Sequence, residues 1–293
     1  MLLRALGLAI VLAALAVAAL TVAVATDTLG AAEKWDHLLA RIDRFVAGPP
    51  PDRATVETVV ATPPPSILVS TPAPVGSGQR SSPSPTPRRT PVDVNIDPRP
   101  EKHFASEERD TWCAPAGVQM ALAVLGLADT STAFQERLDH RIGEWESTRD
   151  SKNGDWGPGA MALALAAYGA PGYEVRAYDS RADALRDAAA AISTTRSPAI
   201  LLAWRGAHTW VMTGFRANAD PTLFGDAKVT GAYILDPWYP RISSIWGPSD
   251  PPGTFQDSSE MNRNYLPWKR PEGVYPNRDG RFIAVIPTLP APR

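Results

Sequence analysis

The stretch that decides the fold is "RDTWCAPAGVQMALAVLGL", residues 109–127, which places the only cysteine of the chain at the head of an apolar run. The spacing predicts a helix over 115–127, because Pro115 can occupy a first turn and Gly126 can end a helix. Cys113 then lies just before the helix, and we expect its sulfur to face the unpaired N–H groups of the first turn. Such a position favours thiolate over thiol.

The N-terminus, "MLLRALGLAIVLAALAVAALTVAVATD", predicts export of the rest of the chain. One arginine precedes an uncharged apolar run from Ala5 to Ala25. At about 20 residues this run is long enough to cross a bilayer, so residues 1–26 predict a signal anchor. Ala23-Val24-Ala25 also fits a cleavage site, which leaves a cleaved signal peptide open. Either way the remainder is expected outside the cytoplasm, anchored to a membrane or secreted.

Export makes a lone thiol unusual, because oxidising compartments normally pair their cysteines. Cys113 is therefore an intermolecular bridge, an inert buried thiol or a reactive one. With 29 basic and 31 acidic side chains and a net charge of −2, the chain has no field that favours nucleic acid. The sequence lacks the short His and Cys spacings of metal sites, so we expect neither metal nor cofactor.

Three further segments follow the apolar run. Residues 27–48 predict a juxtamembrane helix with one apolar face, formed by Trp35, Leu38, Leu39, Ile42, Phe45 and Val46. Residues 49–100 are rich in Pro, Ser and Thr and predict a disordered linker. Residues 101–293 predict one folded domain.

Within that domain helical patterns are followed by β-rich runs, which predicts an α+β fold and no alternating βαβ units. The predicted helices are 115–127, 131–142, 158–168 and 180–193, the last with a Ser cap. The predicted strands are "GYEVRAY", "PAILLAW", "HTWVMTGF", "VTGAYIL" and "RFIAVIP". A group of aromatic residues near the last motifs is expected to brace a loop-rich region: Trp112, Trp210, Trp238, Trp246, Trp268, Tyr239 and Tyr275.

A reactive Cys113 needs a second group. Ionising a thiol at neutral pH requires a pKa shift of about two units, or roughly 2.7 kcal/mol, whereas a helix terminus supplies less than about 1 kcal/mol. His208 is the best imidazole candidate because it opens a strand, and Asp236, at the end of the next strand, could fix its tautomer. Each of the three residues also has a structural interpretation that remains open: Cys113 as a packed core residue, His208 as a structural histidine and Asp236 as part of an Asp-Pro turn.

The motifs "CAPAGVQMALAVLG", "AHTWVMTGF" and "YILDPW" resemble those of bacterial C39-like cysteine peptidases of the papain-like clan, over roughly residues 103–287. The resemblance implies a papain-like fold, with N-terminal helices packed on an antiparallel sheet, that acts on peptides or proteins without a cofactor. It also implies Cys113 as nucleophile, His208 as general acid and base, and Asp236 as the group that orients the imidazole.

The chain departs from that family at the position of an oxyanion donor. The family usually has a Gln five or six residues before the Cys, but here "SEERDTWC" places Glu107 and Glu108 there. An ionised carboxylate repels an oxyanion, and loss of one donor costs about 10² to 10³ in rate. Glu107 could be protonated, Arg109 could substitute, the Cys113 N–H could act alone, or the protein could be inactive.

We therefore expect an exported, membrane-tethered cysteine hydrolase that cleaves a peptide or related amide, with cell-wall peptides as one substrate class. The competing hypothesis is an inactive C39-like domain that binds peptides or glycans in an aromatic groove. A catalytic thiolate predicts rapid alkylation of Cys113 by iodoacetamide below pH 7.

Overall fold

The computed structural model describes residues 17–23, 25–26, 38–39, 42, 46, 48, 52–53, 57–60, 87–151, 156–269 and 272–290. Within these ranges, no helix has the length and apolar character that a bilayer crossing requires. Most of the apolar run from Ala5 to Ala25 lies outside the described residues, although residues 17–23 are helical. In the predicted juxtamembrane segment the described positions are helical and exposed: Leu38, Leu39, Ile42 and Val46.

The helices predicted from the sequence lie at the expected places. The bounds are α1 Cys113–Val124, α2 Thr132–His140, α3 Pro158–Ala167, α4 Arg181–Thr195 and α5 Ser258–Asn264. The predicted cap of α4 is confirmed, since the Ser180 hydroxyl accepts the N–H of Asp183 at 3.1 Å. α1 begins at Cys113 itself, so the thiol belongs to the first turn of the helix. α5 was not predicted, because its polar residues carry no apolar period.

All five predicted strands are present, and the structure adds short ones. The bounds are β1 Glu57–Val60, β2 Val92–Asn95, β3 Tyr173–Tyr178, β4 Ala199–Ala203, β5 His208–Ala217, β6 Val229–Leu235, β7 Ile242–Ser243, β8 Gly247–Pro248, β9 Thr254–Asp257 and β10 Phe282–Pro287. The main sheet has the order β1-β3-β10-β4-β5-β6-β9, with β2 also paired to β5. Its pairs are antiparallel except that β1 runs parallel to β3.

Helices cover both faces of this sheet. One hydrophobic core joins α1, α2 and α3 to one face, and a second joins α4 and α5 to the other. The domain is therefore mixed α+β, but helices do not simply precede strands. β3, α4 and β4 form a crossover, with β10 inserted between the two parallel strands. The late insertion of β10 is a long-range pairing that local sequence patterns do not reveal.

Two strands lie inside the range 49–100 that we predicted to be a disordered linker. β1 adds to the edge of β3, and Glu57 pairs there with the buried Arg278. β2 alternates half-buried valines with exposed polar residues and pairs with the end of β5. Both strands are short runs flanked by prolines, so their composition is similar to that of a disordered linker. The folded domain begins before residue 101.

The predicted bracing role of the aromatic residues is supported by their burial. Trp112, Trp210, Trp268 and Tyr275 are 3–7% exposed, and Trp238 and Trp246 pack on the second core.

Candidate active site

The site lies where the first turn of α1 meets the start of β5. Gly117 makes this approach possible, since a Cβ at that position would lie 2.4 Å from the Thr209 methyl carbon. Glycine therefore lets the helix pack directly on the strand. As a result, Cys113 on α1 and His208 on β5 face the same cavity.

The Gly117→Ala substitution should push α1 away from β5 and so separate the thiol from the imidazole. We expect a loss of about 1–3 kcal/mol in the free energy of unfolding from overpacking. We also expect roughly a tenfold or greater loss in kcat/KM, because a shift near 1 Å is costly at a reacting centre. Chemical denaturation and peptide-cleavage assays measure the two effects. Gly143→Ala is the control, because open space surrounds that glycine. Unchanged kinetics for Gly117→Ala would contradict the assignment.

His208 is held at one ring nitrogen by a carboxylate. The imidazole is 2% exposed, and its Nε2 lies 2.7 Å from Oδ1 of Asp236, directly after β6. The same oxygen accepts the N–H of Trp238 at 2.9 Å, which fixes the carboxylate. A carboxylate at Nε2 leaves Nδ1 as the nitrogen that can exchange a proton with a thiol.

Cys113 is half-buried and lines a cavity of about 410 Å³ with His208. Its Sγ lies within 4.8 Å of a ring nitrogen of His208 and of a carboxylate oxygen of Glu107. The hydroxyl of Thr209 donates to Sγ at 3.8 Å, and the thiol reaches the carbonyl of Ala207 at 4.0 Å. The only thiol of the chain thus lies beside the buried imidazole, in the lining of the same cavity.

Glu107 is the third group at this point, and its backbone is fixed to the loop after β6. Its N–H donates to the carbonyl of Pro237 at 2.9 Å, and Arg241 donates to its carbonyl at 2.9 Å. The side chain is 1% exposed; Oε1 lies 3.5 Å from Arg241, and Oε2 has no hydrogen-bond partner among the described residues. Burial raises the pKa of Glu107 to about 9, and the charges of Asp110 and Asp236 add to this against the opposing effect of Arg241. At neutral pH the side chain is a carboxylic acid.

The protonation of the thiol differs from the prediction. Burial raises the pKa of Cys113 to about 12, with a further contribution from Glu107, although hydrogen bonds from Thr209 act in the opposite direction. The desolvation of the sulfur outweighs the small effect of the helix terminus. The resting site therefore holds a neutral thiol, and rapid alkylation below pH 7 is no longer expected.

Donor atoms of Glu107, Cys113 and His208 all lie within 4.8 Å of one another, as ligands of a metal ion would. Arg241 beside the Glu107 carboxyl opposes a second positive charge at this position. We interpret the cluster as a set of catalytic groups.

All four residues singled out from the sequence therefore meet at one point. Glu108 and Arg109 lie apart from it: Glu108 accepts a hydrogen bond from Thr132, and Arg109 stacks on the ring of Trp112. Sequence analysis missed Thr209, Arg241 and Trp204, which contact Cys113, Glu107 and His208 respectively. None of the three carried a clear sequence signal, because successive residues of a strand point to opposite faces and Thr209 directly follows His208.

The sequence matches no family model and no curated protein. Among solved structures, the chain is similar to the crystal structure of a double glycine motif protease from an AMS/PCAT transporter in complex with the leader peptide. The TM-score is 0.33 at 17% identity, and the match covers 67% of this chain and 99% of that chain. At this TM-score the likeness does not bear on the roles of individual residues, which are argued below from the geometry.

Proposed function

We propose that the chain is a papain-like, C39-like cysteine hydrolase that cleaves a peptide or related amide through a thioester. The observation that carries this proposal is the convergence of the lone thiol, a buried imidazole and its carboxylate. Asp236 holds one nitrogen of His208, and the thiol lies within 4.8 Å of the ring. Covalent acyl transfer by a thiol needs a nucleophile, a base beside it and a group that orients the base. Cys113, His208 and Asp236 are arranged in that order.

The neutral thiol makes His208 a general base in the first step. Nδ1 takes the proton of Cys113 as the sulfur attacks the carbonyl carbon, so the sulfur–carbon bond forms while the carbonyl π electrons move to oxygen. Collapse of the intermediate breaks the carbon–nitrogen bond, and the imidazolium gives its proton to the leaving amine. His208 then takes a proton from water, which attacks the thioester, and the acid leaves as the thiol is restored.

The oxyanion needs donors, and we propose two. The first turn of a helix leaves its N–H groups without intrahelical partners, so the backbone N–H of Cys113 can donate. The second is Glu107 in its acid form: its Oε2 has no hydrogen-bond partner among the described residues, and one of its carboxyl oxygens lies in the cluster. A neutral carboxyl carries a proton to donate, as the family's usual amide does.

Location and partners are also proposals. The apolar N-terminal run supports an exported protein held at a membrane, and the small net charge of −2 gives no support for a nucleic acid partner. Peptides, proteins and cell-wall peptides remain the substrate classes that fit an amide-cleaving site outside the cytoplasm.

One observation favours a second candidate, an inactive domain that binds a peptide or glycan. The raised pKa of Cys113 gives the slow alkylation that an inert thiol would also give, so alkylation of the free protein no longer separates the two. Acyl transfer does separate them, because only the hydrolase forms a bond between the sulfur and the substrate.

The test is to incubate the full chain with peptide libraries and with purified peptidoglycan, followed by mass spectrometry of products and of the intact protein. We expect cleaved amide bonds and, with peptide aldehydes, a covalent adduct on Cys113. The Cys113→Ala protein should give neither. An intact wild-type chain that binds peptides but forms no product and no adduct would refute the hydrolase and support the binding domain.

A further inference from the structure

The turn between β4 and β5 has an unusual backbone at Trp204. Trp204 and Arg205 have φ values of +51° and +64°, in the left-handed region that non-glycine residues rarely adopt. Two such residues in succession cost free energy, and they lie four and three residues before His208. The surrounding structure must hold this conformation.

The conformation folds the indole of Trp204 back over the imidazole. The two rings stack with centroids 3.9 Å apart and planes 17° from parallel, and Trp204 is 8% exposed. The ring of Trp246 also lies parallel to the indole, with centroids 5.7 Å apart and planes at 5°, and the side chain of Asn264 accepts the indole N–H at 3.2 Å. Ring contacts and a hydrogen bond at its edge therefore hold the indole in place.

We infer that Trp204 is a positioning residue that acts through His208: its ring face holds the imidazole flat and favours the imidazolium that forms during catalysis. This inference rests on the proposed function for its catalytic meaning. An aromatic face is electron-rich and attracts a cation within about 6 Å, most strongly where water is excluded. Asp236 stabilises the same imidazolium at its edge.

Other titratable and charged groups also lie near His208, and they are common to all the variants below. They are Cys113 on α1, Glu107 before α1 with its neighbours Arg241 and Asp110, Asp236 after β6, and Lys269 on the same cavity.

The sign of a titration shift distinguishes the stack from simple burial. If the indole stabilises the imidazolium, its removal moves the titration midpoint of His208 to lower pH. If the indole only keeps water away, its removal hydrates the ring and moves the midpoint to higher pH. The two roles thus predict opposite results.

The experiment titrates the full chain by NMR with ¹³C-labelled histidine, since the chain has only 4 histidines. The His208 signal is assigned by its loss in the His208→Asn protein. We expect the midpoint to fall by about 0.5 to 1 pH unit in Trp204→Leu and by less in Trp204→Phe, which keeps a ring. Trp145→Leu is the control, because it removes a buried tryptophan whose ring contacts are with Trp156 and Tyr168, and it should change the midpoint little.

An unchanged or higher midpoint in Trp204→Leu would overturn the inference, as would an equal fall in Trp145→Leu. If Trp204→Leu fails to fold, the direction of the midpoint shift in Trp204→Phe decides in the same way. Because the titration uses no substrate, its result is independent of peptide cleavage. If the midpoint of His208 falls in Trp204→Leu but the wild type cleaves no peptide, the role of the stack is supported and only the proposed function is refuted.

Discussion

The His208→Ala protein is expected to lose at least about 10³ to 10⁴ in kcat/KM for peptide cleavage. Without the imidazole nothing takes the proton of a thiol whose pKa is about 12, so the nucleophile stays neutral at neutral pH. The reaction of Cys113 with iodoacetamide should slow in the same variant, because both reactions need the sulfur deprotonated. Peptide cleavage and intact-mass kinetics measure the two effects.

The chain offers a matched control for this substitution in a second histidine–carboxylate pair. His103 Nδ1 lies 2.8 Å from Asp97, whose side chain is buried, but no thiol adjoins this pair. His103→Ala should therefore leave kcat/KM within about threefold of wild type. Equal losses in both variants would mean that the effect is on stability, and full activity of His208→Ala would exclude His208 as the base.

Glu107→Gln is expected to keep its activity at neutral pH and to extend it to higher pH. In the wild type the acid form of Glu107 ionises as pH rises through its pKa of about 9, which removes a donor and adds a negative charge beside the oxyanion. Glutamine keeps a donor and cannot ionise. Glu107→Ala lacks the donor at every pH and should lose about 10² to 10³ in kcat. Profiles of kcat against pH measure these differences.

The same variant should also change how stability depends on pH. The pKa of Glu107 rises from its usual 4.5 to about 9 on folding, so between these values the folded state keeps a proton that the unfolded state releases. The stabilisation is therefore complete below about pH 4.5 and is lost as pH rises toward 9. Relative to the wild type, Glu107→Gln should gain up to about 1.4 kcal/mol per pH unit across pH 5–8.

Denaturant unfolding at several pH values measures this gain, and Glu108→Gln is the control because that neighbouring carboxylate is exposed. Loss of activity in Glu107→Gln at neutral pH would show that a glutamate is specifically required and refute its role as a neutral donor. A stability difference that does not depend on pH would mean that Glu107 is ionised in the folded chain.

The elements with strong local patterns were predictable from sequence. α4 has a Ser cap and an apolar period, and β5 is a long β-rich run bounded by a turn, so both lie where expected. The position of β10 between β3 and β4 was not predictable, because it depends on pairing with strands that lie more than eighty residues earlier in the chain. β1 and β2 were missed because four-residue runs among prolines carry little periodic signal.

The residues of the candidate site could be predicted from the sequence, but their protonation states could not. The single thiol, a strand-initial histidine and a strand-terminal aspartate limited the choice to Cys113, His208 and Asp236. Local sequence reports that Cys113 lies at a helix terminus, but not the burial of the sulfur, which raises the pKa of the thiol. The acid form of Glu107 likewise depends on burial against loops distant in sequence.

The pairing of β2 has a practical consequence for anyone who shortens this protein. A version that starts at residue 101 would leave Gly214, Phe215, Arg216 and Ala217 with open hydrogen-bonding groups on the side that β2 occupies. Such a free edge invites other chains to add to it, which causes aggregation. A version that starts at residue 87 retains β2 and should stay soluble, and one that starts at residue 52 also retains the partner of Arg278.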